Sequence, residues 1–187
     1  MPNYLLSKRS FLTATVAIAA LLAAGCGGST DSSSSDASPT SEWADGLCSA
    51  ITTWTSSISS IEESLKGGDL SKDSLNSAVD DAKSATETFT SDLDSLGKPD
   101  TDAGQKAKDS VDQLSTDLKA GVTTIQEALD GASGIAGIIA AAPVIVTTLG
   151  TMGTQASATI SSLQSLDAKG ELESAFKQSS NCDKLAG

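Results

Sequence analysis

From Trp43 to Leu65 apolar residues return at steps of three or four: Trp43, Leu47, Ile51, Trp54, Ile58, Ile61 and Leu65. That spacing places them on one face of a helix. Lys66 closes the run, and Gly67 and Gly68 are placed to end it with a left-handed cap. A second series, Leu75, Val79, Ala82, Thr86, Phe89, Leu93 and Leu96, stops at Gly97, with Pro99 two residues beyond. Asp100 or Thr101 can cap a third helix carrying Ala107, Val111, Leu114, Leu118, Gly121, Ile125 and Ala128, which Gly131 to Gly134 breaks. The fourth series runs from Ile135 through Ile139, Ala142, Ile145, Leu149, Met152, Ala156, Ile160 and Leu163 to Leu166. Pro143 lies inside it and, lacking a backbone donor, either kinks this helix or starts it. A short helical stretch, Glu171 to Gln178, leads to Cys182. No segment alternates with period two, so no strands are predicted.

Four long helices joined by short Gly/Pro/Asp turns predict an all-α fold over residues 42–187. The expected architecture is an antiparallel up-down-up-down four-helix bundle with a short C-terminal helical extension. In such a bundle the start of the first helix and the end of the fourth share one end. Cys48 lies in the first turns of helix one and Cys182 follows the last helix, so the two thiols are expected to be neighbours in space and to form a disulfide. The clasp matters because large side chains are scarce: beyond the first 25 residues the aromatics are Trp43, Trp54, Phe89 and Phe176.

Ahead of the helices the pattern changes twice. Lys8 and Arg9 precede an uncharged run from Phe11 to Ala24, and small residues then lead to Cys26. That layout is a secretory signal peptide, and its apolar run is short for roughly 30 Å of hydrocarbon. Gly27 to Ser41 is Gly, Ser, Thr, Asp and Pro with almost no apolar residue, and is expected to be a disordered tether reaching about 20 Å. The expected organisation is therefore residues 1–25 as a cleaved signal peptide, 26–41 as lipidated cysteine and tether, and 42–187 as the helical domain.

Ala23-Ala24-Gly25-Cys26 resembles a bacterial lipobox. The resemblance implies that Cys26 takes a diacylglycerol on its thiol and becomes the first residue of the mature protein. Ser7-Lys8-Arg9-Ser10-Phe11-Leu12 is similar to the twin-arginine export motif with Lys in place of the first arginine, and leaves that route open beside general secretion. The whole chain resembles the small secreted helical lipoproteins of Gram-positive, particularly actinobacterial, bacteria. This implies a location on the outer face of the cytoplasmic membrane, held through the lipid on Cys26, and no particular activity. The chain has three cysteines; lipidation of Cys26 leaves Cys48 and Cys182 as a pair for a compartment where disulfides persist.

Charge narrows the partners. Loss of residues 1–25 takes Lys8 and Arg9 and no acid, moving the formal net charge from −12 to −14. So acidic a chain is not expected to bind nucleic acid, and it gains nothing from anionic headgroups. There is no histidine, which removes the commonest general base and zinc ligand. The carboxylate pairs Glu62/Glu63, Asp80/Asp81, Asp92/Asp94 and Asp109/Asp112 sit among Ser and Lys and are expected to be solvated. Asp100-Thr101-Asp102-Ala103-Gly104 lacks the later ligands of a calcium loop. No catalytic residue, metal site or cofactor is expected, and the reading is a binding or scaffold domain for a protein or envelope component. One stretch stands apart: no charge occurs between Asp130 and Asp167, and Gly134 to Gly150 is the most apolar part. It is expected to be a central helix packed closely by its neighbours. The alternative is a segment that inserts into a membrane or an apolar groove.

Overall fold

A computed structural model of the chain describes residues 38–185 other than 69, 167, 168 and 184. The signal peptide, the lipobox cysteine Cys26 and the tether as far as residue 37 lie outside the described residues. Six helices follow: α1 (Pro39–Gly67), α2 (Lys72–Leu96), α3 (Gly104–Asp130), α4 (Gly134–Ser165), α5 (Glu171–Gln178) and α6 (Ser180–Asp183). No strand occurs among the described residues.

The helix starts follow from local chemistry. Ser38 caps α1 by accepting the N–H of Ser41 (3.2 Å), and Pro39 occupies the first turn, where its missing donor costs nothing. This corrects the expected boundary, because residues 39–41 are helix rather than tether. Ser71 and Ser74 cap α2 reciprocally. Two other expectations fail. Gly68 is extended (φ −103°) rather than left-handed, its N–H reaching Ser64 O. Neither Asp100 nor Thr101 caps α3; Ala103 precedes it without a side-chain cap. The turn before α3 is tight, and a Cβ on Gly104 would stand 2.1 Å from the Pro99 carbonyl. The many helical Ser and Thr residues donate to the carbonyl a turn back, as Thr52 does to Cys48 (2.8 Å) and Thr55 to Ile51 (2.8 Å).

The helices run antiparallel in sequence order. Trp43 Nε1 donates to Gly97 O (3.2 Å), while further along α1 Trp54 donates to Thr86 Oγ1 (3.3 Å) and stacks on Phe89 at 5.3 Å. As position rises in α1 it falls in α2. Between α3 and α4 the same holds: Asp102, just before α3, pairs with Lys169, beyond α4, and Gly121 meets Met152. All the residues of the α1 series, and those of α2 up to Leu93, are buried. One end of the bundle therefore gathers Ser38, the α2–α3 turn and the C-terminal segment. The other holds the α1–α2 and α3–α4 turns, about 40 Å away along α1 at 1.5 Å per residue.

At the Ser38 end, α5 and α6 fold back onto α1. Phe176 meets Trp43 edge-on at 6.2 Å. Asp45 accepts from Ser179 Oγ (2.7 Å) and Asn181 Nδ2 (2.9 Å), and Ser179 Oγ accepts from the Cys182 N–H (3.2 Å). Cys48 and Cys182 sit at disulfide distance, their Cα atoms 5.0 Å apart and 134 positions apart in sequence. Both cysteines are buried.

Non-reducing peptide mass spectrometry is expected to recover Cys48 joined to Cys182. Cys48→Ser/Cys182→Ser should lower the stability measured by urea unfolding by about 5 kcal/mol, the chain-entropy value for so long a loop. Two alkylatable thiols in the native protein would contradict the pairing.

Candidate functional site

The fourth helix carries two different chemistries on its outward side. Its inner positions, Ala141, Ala142, Ile145, Leu149, Met152, Ala156, Ile160 and Leu163, are buried. Outward, Ile135 is 78%, Ile139 60% and Val144 44% exposed, and Ala136, Ala140 and Pro143 are exposed with them. From Thr147 onward the outward residues become Thr151, Thr154, Ser157 and Ser161, whose hydroxyls bond the carbonyl one turn back. The same face of one helix thus changes from aliphatic to hydroxyl.

The expectation of a closely packed central helix over Gly134–Gly150 is corrected by this exposure. Within it only Ala141, Ala142, Ile145 and Leu149 are buried, and Ile135 and Ile139 of the core series point to solvent. The reason is geometric. Successive residues on a helix stand about 100° apart, so Ile138 and Ile139, or Val144 and Ile145, cannot both face inward. By length and composition α4 is sufficient to cross a membrane, but only 28% of its most apolar stretch is buried. Pro143 does not start it, since the helix runs through from Gly134 to Ser165.

The exposed aliphatics lie at the end opposite Ser38. Leu70, 42% exposed in the α1–α2 turn, is at that end too, so the exposed large apolar residues among those described, Leu70, Ile135, Ile139 and Val144, share it. An exposed apolar patch of this kind is a usual mark of an interaction surface. Carboxylates lie at the same end of the bundle. Glu127 and Asp130 on the last turns of α3 are exposed, and α3 has no basic residue in its last turn. Glu62 reaches toward Gly150 and is bonded to Lys66 (2.9 Å).

Elsewhere among the described residues the carboxylates stand apart or are already bonded. A groove of about 480 Å³ between α1 and α2 is lined by Thr53, Ser57, Ser84 and Thr88, with Trp54 and Phe89 beneath and Asp81 and Asp92 at its rim. The two carboxylates are three turns apart on one helix, about 16 Å, too far to act on one bond. Among the other carboxylate pairs, Asp109 accepts from Gln105 (2.8 Å) and Asp112 from Lys108 (2.7 Å). That bond to Asp112 raises the Lys108 pKa, so the ammonium stays charged. Asp102 of the calcium-like loop is paired with Lys169. No group of three potential metal ligands occurs among the described residues. Cys48 and Cys182, the predicted pair, form the clasp rather than a site. Two features escaped the sequence reading: the Asp45–Ser179–Asn181 bonds, which carry no local signal, and the apolar face, whose signal was the adjacent aliphatic pairs.

No known protein family matches the chain, and no curated protein or solved structure is similar to it.

Exposure and burial on α4 separate sharply under substitution. Ile135→Ser and Ile139→Ser should each change the unfolding free energy by no more than about 0.5 kcal/mol. Ile145→Ala, from the buried side, should cost about 2–5 kcal/mol. Equal losses at Ile139 and Ile145 in urea titrations would show that the outer face is packed.

Proposed function

We propose that this is a lipid-anchored cell-surface protein whose helical bundle is a docking module for a protein or envelope component. A lipid on Cys26 would hold the bundle by its Ser38 end, twelve positions along the chain. The aliphatic face of α4 lies at the opposite end and meets the partner. The exposure of Ile135, Ile139 and Val144 is the observation that carries the reading. The absence of histidine from the sequence, and the pairing of Cys48 with Cys182, support binding over catalysis. An acidic chain disfavours nucleic acid as the partner.

A second reading, in which α4 leaves the bundle and inserts its 134–150 segment into a bilayer, is favoured by the length and apolarity of that helix. Against it, insertion would strip the core of Ile145, Leu149 and Met152, each at most 1% exposed. It would also leave the acidic bundle facing an anionic surface.

Two substitutions read anchoring and docking independently. Cys26→Ala should move the protein from the membrane fraction to the medium or soluble fraction. Ile135→Ser/Ile139→Ser should leave it anchored while removing partner crosslinks formed on intact cells. Dye release from liposomes by the wild-type chain, abolished by the isoleucine substitutions, would favour insertion instead. Anchoring that survives Cys26→Ala would defeat the lipid reading.

A further inference from the structure

The apolar face of α4 does not stand alone, and its surroundings select among possible occupants. At the same end of the bundle α3 terminates with Glu127 and Asp130, both exposed, and neither is ion-paired among the described residues. A helix C-terminus already presents unsatisfied carbonyls, equivalent to about half a negative charge. Two carboxylates and no basic residue in that last turn add to the field instead of offsetting it. Glu63 on α1 is exposed as well. The lysines of this end, Lys66 and Lys72, belong to α1 and α2, and Lys66 is already bonded to Glu62. α4 itself has no charge from Gly134 to Ser165, so nothing on the apolar face balances the acids beside it.

Resting on the docking reading above, we infer that the occupant is a cationic amphipathic segment. Its aliphatic face covers Ile135, Ile139 and Pro143, and its lysines or arginines reach Glu127 and Asp130. Helix-in-groove recognition of this kind uses apolar anchors one turn apart. Ile135, Ile139 and Pro143 offer that spacing, with Ala136 and Ala140 between them leaving room for close approach. Two other occupants fit less well. An anionic bilayer would be repelled by the same carboxylates. A second copy would bring an equally acidic chain to the face.

The test uses the full chain in zwitterionic nanodiscs, with isoleucine methyls observed by NMR. The probe is a synthetic helical peptide carrying leucines on one face and lysines beside them. A peptide with glutamates in place of the lysines serves as control. The lysine peptide should shift the Ile135 and Ile139 methyls while leaving Ile51 and Ile125 unmoved. It should bind at least about tenfold more tightly than the control, with an advantage that shrinks as salt is raised. Glu127→Lys/Asp130→Lys, both at exposed positions, should invert the preference between the peptides. Equal binding of the two peptides at Ile139 would overturn the cationic partner while keeping the docking face. Concentration-dependent shifts without peptide, or shifts produced by anionic vesicles alone, would assign the face to a second copy or a bilayer. Ile135 and Ile139 methyls unmoved by every probe, with crosslinks on cells unchanged by their substitution, would remove the docking reading itself.

Discussion

Gly121 of α3 lies against Met152 of α4 so closely that a Cβ on the glycine would stand 2.6 Å from the methionine sulfur. Gly46 of α1 is comparably close to Leu96. Such approaches are what a bundle with few large side chains depends on. When Ala, Gly, Thr and Ser fill near-core positions, the larger side chains of one helix must seat against the bare backbone of the next, or voids forfeit dispersion contacts. Thr86 and Thr90 of α2 and Ser115 of α3 are buried within the bundle. Trp54 is served by Thr86 through its indole N–H, while Ser115 Oγ has no partner among the described residues. A core of this composition gains little per residue, so the aromatic contacts Trp43–Phe176 and Trp54–Phe89 and the C-terminal clasp carry a large share of its cohesion.

The same economy of bulk explains why the two ends differ. The Ser38 end is covered by α5 and α6 and cross-braced by Asp45, Ser179 and Asn181. At the opposite end, short turns join the helices and, among the described residues, no further helix folds over the first turns of α4. Pro143 fits this exposed stretch. Its missing donor leaves the Ile139 carbonyl to solvent on the open side of the helix, a loss that a buried helix would bear less easily.

The cores of α1, α2 and α3 were legible from periodicity because each has one apolar stripe bordered by Ser, Asp and Lys, and a single stripe can face only one way. The cysteine pairing was legible because antiparallel topology dictates which helix ends meet. α4 was misread because its first turns are apolar on all sides. Periodicity then identifies a helix but not the face that turns inward, and Ile135 and Ile139 were placed in the core beside Ala142 and Ile145, which are buried, while the buried Ala141 was passed over. Capping was not legible: the Ser71–Ser74 pair that starts α2 was not singled out, and the caps expected at Gly68 and at Asp100 or Thr101 do not form. At Gly104 the carbonyl of Pro99 crowds the turn and excludes a side chain. The clasp at Asp45 joins residues separated by the whole domain, and no pattern within a helix announces such a contact.

The bond between Cys48 and Cys182 also sets how the molecule would carry mechanical load. A pull between Ser38 and the outer face of α4 has two covalent routes. One runs through the rest of α1, all of α2 and all of α3. The other crosses from Cys48 to Cys182 and returns through α5 to α4. The second contour is far shorter, so it draws taut first. Extension could then unravel only the first turns of α1 and the segment beyond the grip on α4, while α2 and α3 hang in a slack branch. The cysteine bridge would act as a strain limiter between Ser38 and α4, capping how far those two points can be drawn apart.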